Sequence, residues 1–171
     1  MAIKVYKGNS TYSSDVICNL SGDKVYKRES SYSSDVLFTI IGNKISRGNS
    51  SYSSDVVVTI DNNNVYKGNS SYSSDILLNI RDGKIYRGTS SYSSDVIANI
   101  NAGRVLRGTS SYSSDVEFRI DGDVTIVEFV AIWWSVKYCY WEWLYYKRKK
   151  PKIQKRVGKT LKSLKLWIFS F

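Results

Sequence analysis

Ser10-Thr11-Tyr12-Ser13-Ser14-Asp15 decides the fold, because five further copies follow at a fixed interval. The core Tyr-Ser-Ser-Asp begins at Tyr12, Tyr32, Tyr52, Tyr72, Tyr92 and Tyr112, a period of 20 residues without a slip. The residues around each copy repeat as well, which removes chance as an explanation. A fixed period of this length marks a repeat architecture, in which each unit buries its apolar face by packing on its neighbours.

Working outward, Lys24-Val25-Tyr26-Lys27 leads into the Ser-rich stretch of one unit, and Asp35-Val36-Leu37-Phe38-Thr39-Ile40 leaves it. Val36, Phe38 and Ile40 alternate at period two. So do Val56/Val58/Ile60, Ile76/Leu78/Ile80, Val96/Ala98/Ile100 and Val116/Phe118/Ile120, the signal of a half-buried strand. The intervening Asn or Thr at 19, 39, 59, 79 and 99 points to the other face. Ile17, Leu37, Val57, Leu77 and Ile97 are also apolar, which predicts that this second face is partly covered. Connectors such as Gly22-Asp23, Asp61-Asn62-Asn63 and Asp82-Gly83 supply residues that tolerate positive φ, as tight hairpin turns require. Each unit therefore reads as two short strands, at unit positions 4–7 and 15–20. The expected fold is mainly β, six hairpin repeats forming a solenoid or a closed toroid, followed by an aromatic helix. A parallel β-helix is the competitor. It would stack the repeated Asp residues about 4.8 Å apart, where like charges repel by roughly 0.9 kcal/mol even in water.

The Ser and Asp of each copy are expected to bond backbone groups in the long turn, which a Gly opens in every unit but the second, where Arg28 stands. Two readings exist for Tyr12, Tyr32, Tyr52, Tyr72, Tyr92 and Tyr112. The favoured one makes each ring a wedge between adjacent units; the other makes the six an array of repeat-surface ligands, stacking on a sugar or a base.

Three segments follow from composition: a repeat domain over 1–123, a capping or membrane-interface helix over 124–146, and a basic tail over 147–171. Residues 1–123 carry a net charge of +1 and residues 124–171 a net +9, so the basic character belongs to the end of the chain. Thr125-Ile126-Val127-Glu128 matches the capping box and predicts a helix from about Ile126 to Tyr146. Its many aromatics fit a cap on the end of the repeat stack, an interfacial helix or, less well, a transmembrane span. Lys137 opposes the span, since a mid-bilayer Lys costs about 2.5–3.5 kcal/mol. Trp133 and Trp141, four residues either side of Lys137, are placed for cation–π contact with it.

Basic residues beside aromatics suit an anionic membrane surface. The candidate contacts are Trp133, Trp134, Trp141, Trp143, Lys147, Arg148, Lys149 and Lys150. Nucleic acid, bound through its phosphates by the same tail, is the alternative partner. Gly158-Lys159-Thr160 lacks the earlier Gly of a phosphate-binding loop, since Ile153 occupies that position.

Enzyme chemistry has little support. The chain has no histidine, and its repeated Asp residues are equivalent, whereas acid–base pairs need carboxylates in unlike environments. Neither a cofactor nor a metal site is expected, and the two cysteines suggest no disulfide framework. Cys18 falls in the apolar column of Phe38, Val58, Leu78, Ala98 and Phe118, and so reads as packing. Met1-Ala2-Ile3-Lys4 runs straight into the first strand without a signal-peptide pattern, so the expected location is cytoplasmic, peripheral to a membrane if the tail binds one.

The unit written as strand, Gly-Asn-Ser-Ser-Tyr turn, Asp-Val-Ile strand and connector resembles bacterial hairpin-repeat proteins of the four-fold beta-flower kind. The resemblance covers residues 3–123 at most, with six units here in place of four, and implies a hairpin fold without a defining activity. The period is also that of choline-binding repeats, but their paired aromatics are missing, so no choline site carries over. Function accordingly reads as a non-enzymatic repeat scaffold or binding protein attached to an anionic membrane through its tail. The alternatives are a nucleic-acid-associated protein and a carbohydrate-binding repeat array.

Overall fold

The computed structural model describes residues 2–148, with side chains as far as Cys139. Each unit contributes a four- or five-residue strand, a long loop and a six-residue strand. The strands are β1 (Ile3–Lys7), β2 (Val16–Ser21), β3 (Lys24–Lys27), β4 (Val36–Ile41), β5 (Lys44–Arg47) and β6 (Val56–Asp61). They continue as β7 (Asn64–Lys67), β8 (Ile76–Arg81), β9 (Lys84–Arg87), β10 (Val96–Asn101), β11 (Arg104–Arg107) and β12 (Val116–Asp121). One helix follows, α1 (Ile126–Arg148).

Every strand pairs antiparallel with its two neighbours in sequence, and β1 closes on β12. The result is a closed twelve-stranded barrel, so the toroid is the architecture adopted and neither a solenoid nor a parallel stack is. Closure leaves no unpaired edge, and a free edge would be an open template for aggregation. Before β12 only single 3-10 turns interrupt the strands, at Ser13–Asp15 and its five equivalents.

Two devices in each unit shape the ring. The connectors turn on residues with positive φ, among them Gly103, where an added Cβ would sit 2.8 Å from the Ile120 carbonyl oxygen. The second device is a bulge. Val25 pairs with Phe38, but the next residue, Tyr26, pairs with Val36, so Leu37 is the extra residue. The same slip recurs between β1 and β2, and between β5 and β6. Bulges bend strands and raise their twist, which suits closure.

The bulge corrects one sequence expectation. Unit position 17 does not cover the second face. Glu117, the residue at that position in the last unit, reaches α1, where Lys137 Nζ donates to its Oε2 at 2.8 Å. Glu117 therefore faces the lumen, and the same register slip recurs in all six units. The outer face is covered instead by Tyr6, Tyr66, Tyr86 and Leu106, all buried, and by the loops folding back over it.

The barrel's inner face is apolar. Val5, Val25, Ile45, Val65, Ile85 and Val105, one from each short strand, are fully buried, as are Cys18, Val58, Ala98 and Phe118. Twelve strands about 4.8 Å apart make a circle of roughly 9 Å radius before tilt widens it. A helix about 10–12 Å across with its side chains fits inside.

The first half of α1 fills that space. Phe129, Val130, Ala131, Ile132, Trp133, Ser135 and Val136 are buried, so this stretch has no solvent face. A helix apolar all round is one surrounded by protein. Its start is the capping box anticipated above. The Thr125 N–H donates to Glu128 Oε2 at 2.7 Å, and the Glu128 N–H donates to Thr125 Oγ1 at 3.3 Å. The buried Ser135 hydroxyl is satisfied by donating to the Ala131 carbonyl at 2.8 Å.

Helix and ring contacts agree in angle. Trp133 and Lys137, four residues apart, share a face and meet Phe118 and Glu117 of the sixth unit. Tyr138 lies about 140° further round the helix. It meets Phe38 of the second unit edge-on at 6.2 Å, two units on in the ring. In a six-fold ring two units subtend about 120°, close to the helical offset. The helix is thus not a cap laid across the end of a stack, because a closed ring has no stack end and offers its lumen. Nor is the stretch from Phe129 to Val136 available to lipid. Among the described residues no helix is long and apolar enough to cross a membrane.

Candidate functional site

Each Ser-rich loop is built in the same way. In the first, the Ser10 hydroxyl donates to Asp15 Oδ2 at 2.7 Å and accepts from the Tyr12 N–H at 3.2 Å. The Asp15 N–H in turn donates to the Tyr12 carbonyl at 2.9 Å. Ser30–Asp35, Ser50–Asp55, Ser70–Asp75, Ser90–Asp95 and Ser110–Asp115 repeat the brace. The expectation that Ser and Asp hold the turn is met. The Ser hydroxyl links the carboxylate to the backbone, and the carboxylate's partner is that hydroxyl.

The loops are pinned to the barrel by unit position 19. Asn19 Nδ2 donates to the Arg28 and Ser30 carbonyls at 2.8 and 2.9 Å, and Asn79 and Asn99 do the same in their units. Thr39 and Thr59 donate once each, to Gly48 and Gly68. Pinned at its start and braced across its tip, the loop presents what remains.

What it presents is tyrosine. Tyr12, Tyr32, Tyr52, Tyr72, Tyr92 and Tyr112 are 73–75% exposed. The wedge reading is therefore wrong. The space between units is closed by backbone pairing and by the unit-position-5 and unit-position-18 side chains, which leaves no slot for a ring. The brace holds each Tyr backbone extended, with φ near −80° and ψ near 140° in the first unit, and the side chain stands in solvent. Large aromatic rings are ordinarily among the more buried groups. Six exposed ones on identical rigid loops form the most distinctive surface of the barrel.

The first two loops enclose an open cleft of about 400 Å³, lined by Ser13, Ser14, Val16, Lys27, Arg28, Glu29, Ser30 and Asp35. Arg28 stands where the other loops have Gly, with φ +54°, the left-handed region that an L side chain enters at a cost. Glu29 accepts from Lys4 Nζ at 2.5 Å, and this carboxylate raises the Lys4 pKa above its ordinary value.

The candidate contacts on the helix separate. Trp133 is buried against Phe118 at 6.1 Å, with Lys137 Nζ 4.4 Å over its ring, so the cation–π contact forms inside the barrel and Trp133 is not a surface group. Trp134 is half-buried. Trp141, Trp143, Lys147 and Arg148 belong to the helix, with side chains outside the described set; Lys149 and Lys150 lie outside the described residues. Cys18 faces the lumen as packing, and burial raises its thiol pKa well above the ordinary value, with Cys139 a lesser contributor. Among the described residues no cluster of His, Cys, Asp or Glu could hold a metal ion.

Sequence reasoning overlooked Glu117. It is charged where five units are apolar, a break in the column that points to a partner of opposite charge. No curated protein and no solved structure matches the chain. A family model described as 6-fold beta flower protein matches residues 5–133, about three quarters of the sequence. The match enlarges the four-unit resemblance to six units and reaches into the buried half of α1. With six braced hairpins closed around one helix, the chain belongs to the six-fold beta flower family.

Proposed function

We propose that the protein is a non-enzymatic, multivalent binding ring whose six Tyr-Ser loops contact a ligand with repeated, hydroxyl-bearing units, a glycan chain. The observation that carries this reading is six tyrosines, each about three-quarters exposed, on loops fixed by the same brace. Tyr gives a large rigid contact area at low entropic cost, and neighbouring Ser, Gly and Asn give adaptable hydrogen bonds, the composition used by antibody-combining loops. Six weak contacts on one rigid frame add by effective concentration, so a polymer is held more tightly than any one loop could hold it. The test is affinity electrophoresis of the full chain through neutral polysaccharide, with Tyr52→Ala, Tyr72→Ala and Tyr92→Ala combined. Retardation lost in the triple variant supports the reading; retardation unchanged by it, or absent in the parent, refutes it.

The charge distribution supports a second, compatible role. The net +9 of residues 124–171 against +1 of the rest favours attachment of the chain to an anionic membrane surface. Vesicles containing phosphatidylserine should then sediment the full chain at low salt and release it at high salt. A shift of DNA without vesicle binding would make nucleic acid the partner instead.

A further inference from the structure

The repeat is broken at one loop, and the break sits in the cleft. Five loops open with Gly8, Gly48, Gly68, Gly88 and Gly108, all at φ between 54° and 62°. The second keeps that backbone conformation, at φ +54°, with an arginine. A single Arg→Gly change would remove the steric cost, so what the position gains is a cation. Its neighbour Glu29 departs from the Asn or Thr of the other loops.

The charges around the cleft are not equally available. The Glu29 carboxylate is held by Lys4. Asp35 accepts from the Ser30 hydroxyl at 2.6 Å. Arg28 has its backbone fixed on both sides, its N–H donating to the Ile17 carbonyl at 2.9 Å and its carbonyl accepting from Asn19. Its guanidinium is exposed and makes no ion pair or hydrogen bond among the described residues. A planar five-donor fork on a fixed backbone fits a carboxylate bidentately, and Arg28 shares the lining of the cleft with Ser13, Ser14 and Lys27. The exposed Tyr12 and Tyr32 belong to the same two loops.

We infer that the cleft between the first and second loops is a subsite for an acidic sugar residue, whose carboxylate pairs with the Arg28 guanidinium. The inference rests on the glycan reading above and adds to it one cation that no other loop has, since every loop carries the Lys or Arg equivalent to Lys27 and the Asp equivalent to Asp35 but only the second has an arginine at the Gly position. A ring with one loop that bears this extra guanidinium distinguishes a chain carrying uronic acids from its neutral counterpart.

Isothermal titration of the full chain with a galacturonic acid trimer and with a neutral galactose trimer tests this, repeated on Arg28→Gly. That variant restores the residue used by the other five loops and lifts the backbone cost, so its melting temperature should hold or rise. The expected result is an acidic trimer binding about tenfold or more tighter than the neutral one, the preference vanishing in Arg28→Gly. An acidic preference that survives in Arg28→Gly overturns the subsite while leaving the glycan ring intact. Neutral and acidic trimers bound equally by the parent overturn it as well. Binding of neither trimer, with the neutral polysaccharide also ignored, removes both readings together. Competition by inorganic phosphate as strong as that of the acidic trimer would make Arg28 a general anion contact and overturn the sugar assignment.

Discussion

At the scale of single residues, the loop separates what supports it from what it displays. The Ser70 hydroxyl joins the Asp75 carboxylate to the Tyr72 N–H. Ser70→Ala should cost about 1–2 kcal/mol in chemical unfolding, since a charge-assisted hydrogen bond and a backbone partner are lost together. Tyr72→Ala, two residues on, should change stability by no more than about 0.5 kcal/mol, because the ring is exposed and no brace atom belongs to it. A large loss of stability in the Tyr variant would restore the wedge. The brace was legible in the sequence, because Ser and Asp at fixed offsets have few other uses in a turn. The exposure of the tyrosine was not. Propensity pulls large rings inward, and nothing local announces that the space between units is already full. Ser46 is a further break in pattern that the sequence displays, a small residue in the column of Tyr6, Tyr26, Tyr66 and Tyr86. It leaves the one buried side-chain polar atom without a partner among the described residues.

At the scale of elements, the strands and the start of the helix followed from pattern. Period-two alternation and the capping box are local signals, and each fell within a residue or two of the observed boundary. The bulge escaped because it inserts one residue without altering the 20-residue period, yet it moves unit position 17 to the lumen side. That move gives Glu117 and Lys137 their meaning. A six-fold lumen offers a helix six equivalent rotations, and one Glu in a column of apolar residues favours a single rotation. Arg107 also approaches Glu117, at 3.5 Å, so removing Lys137 does not leave the carboxylate alone. A double-mutant cycle of Glu117→Gln and Lys137→Met should give a coupling energy of about 0.5–1.5 kcal/mol, measured by denaturant unfolding. Independent effects would mean that the pair does not fix the helix. Trp133→Ala should cost about 3–5 kcal/mol, the penalty for emptying a buried aromatic site.

At the scale of the barrel, helix and ring are one core. Val5, Ile45, Val65 and Phe118 line the lumen, and Ile132, Val130 and Trp133 occupy it, so neither surface is covered without the other. A chain ending at Asp123 should lose its cooperative unfolding transition and bind a hydrophobic dye, since twelve short strands would then enclose an apolar void that packing cannot close. Closure itself was only half legible. Twenty-residue hairpins are compatible with a stack and with a ring, and the pairing that decides between them, β1 with β12, joins residues more than 100 positions apart. No local pattern encodes a contact of that span. The burial of residues 129–136 was not legible either: the sequence favoured a cap over an interfacial helix or a span, and an apolar stretch does not say which surroundings cover it. Amide hydrogen exchange across residues 129–136 is the most direct test that this part of the helix lies inside a closed barrel. These amides should exchange only through global unfolding, with the same opening free energy as the central amides of β6 and β8, because the helix cannot reach solvent while the ring is shut. Exchange of the helix amides at a much lower opening free energy than the strands would show a helix lying outside the barrel and contradict the account.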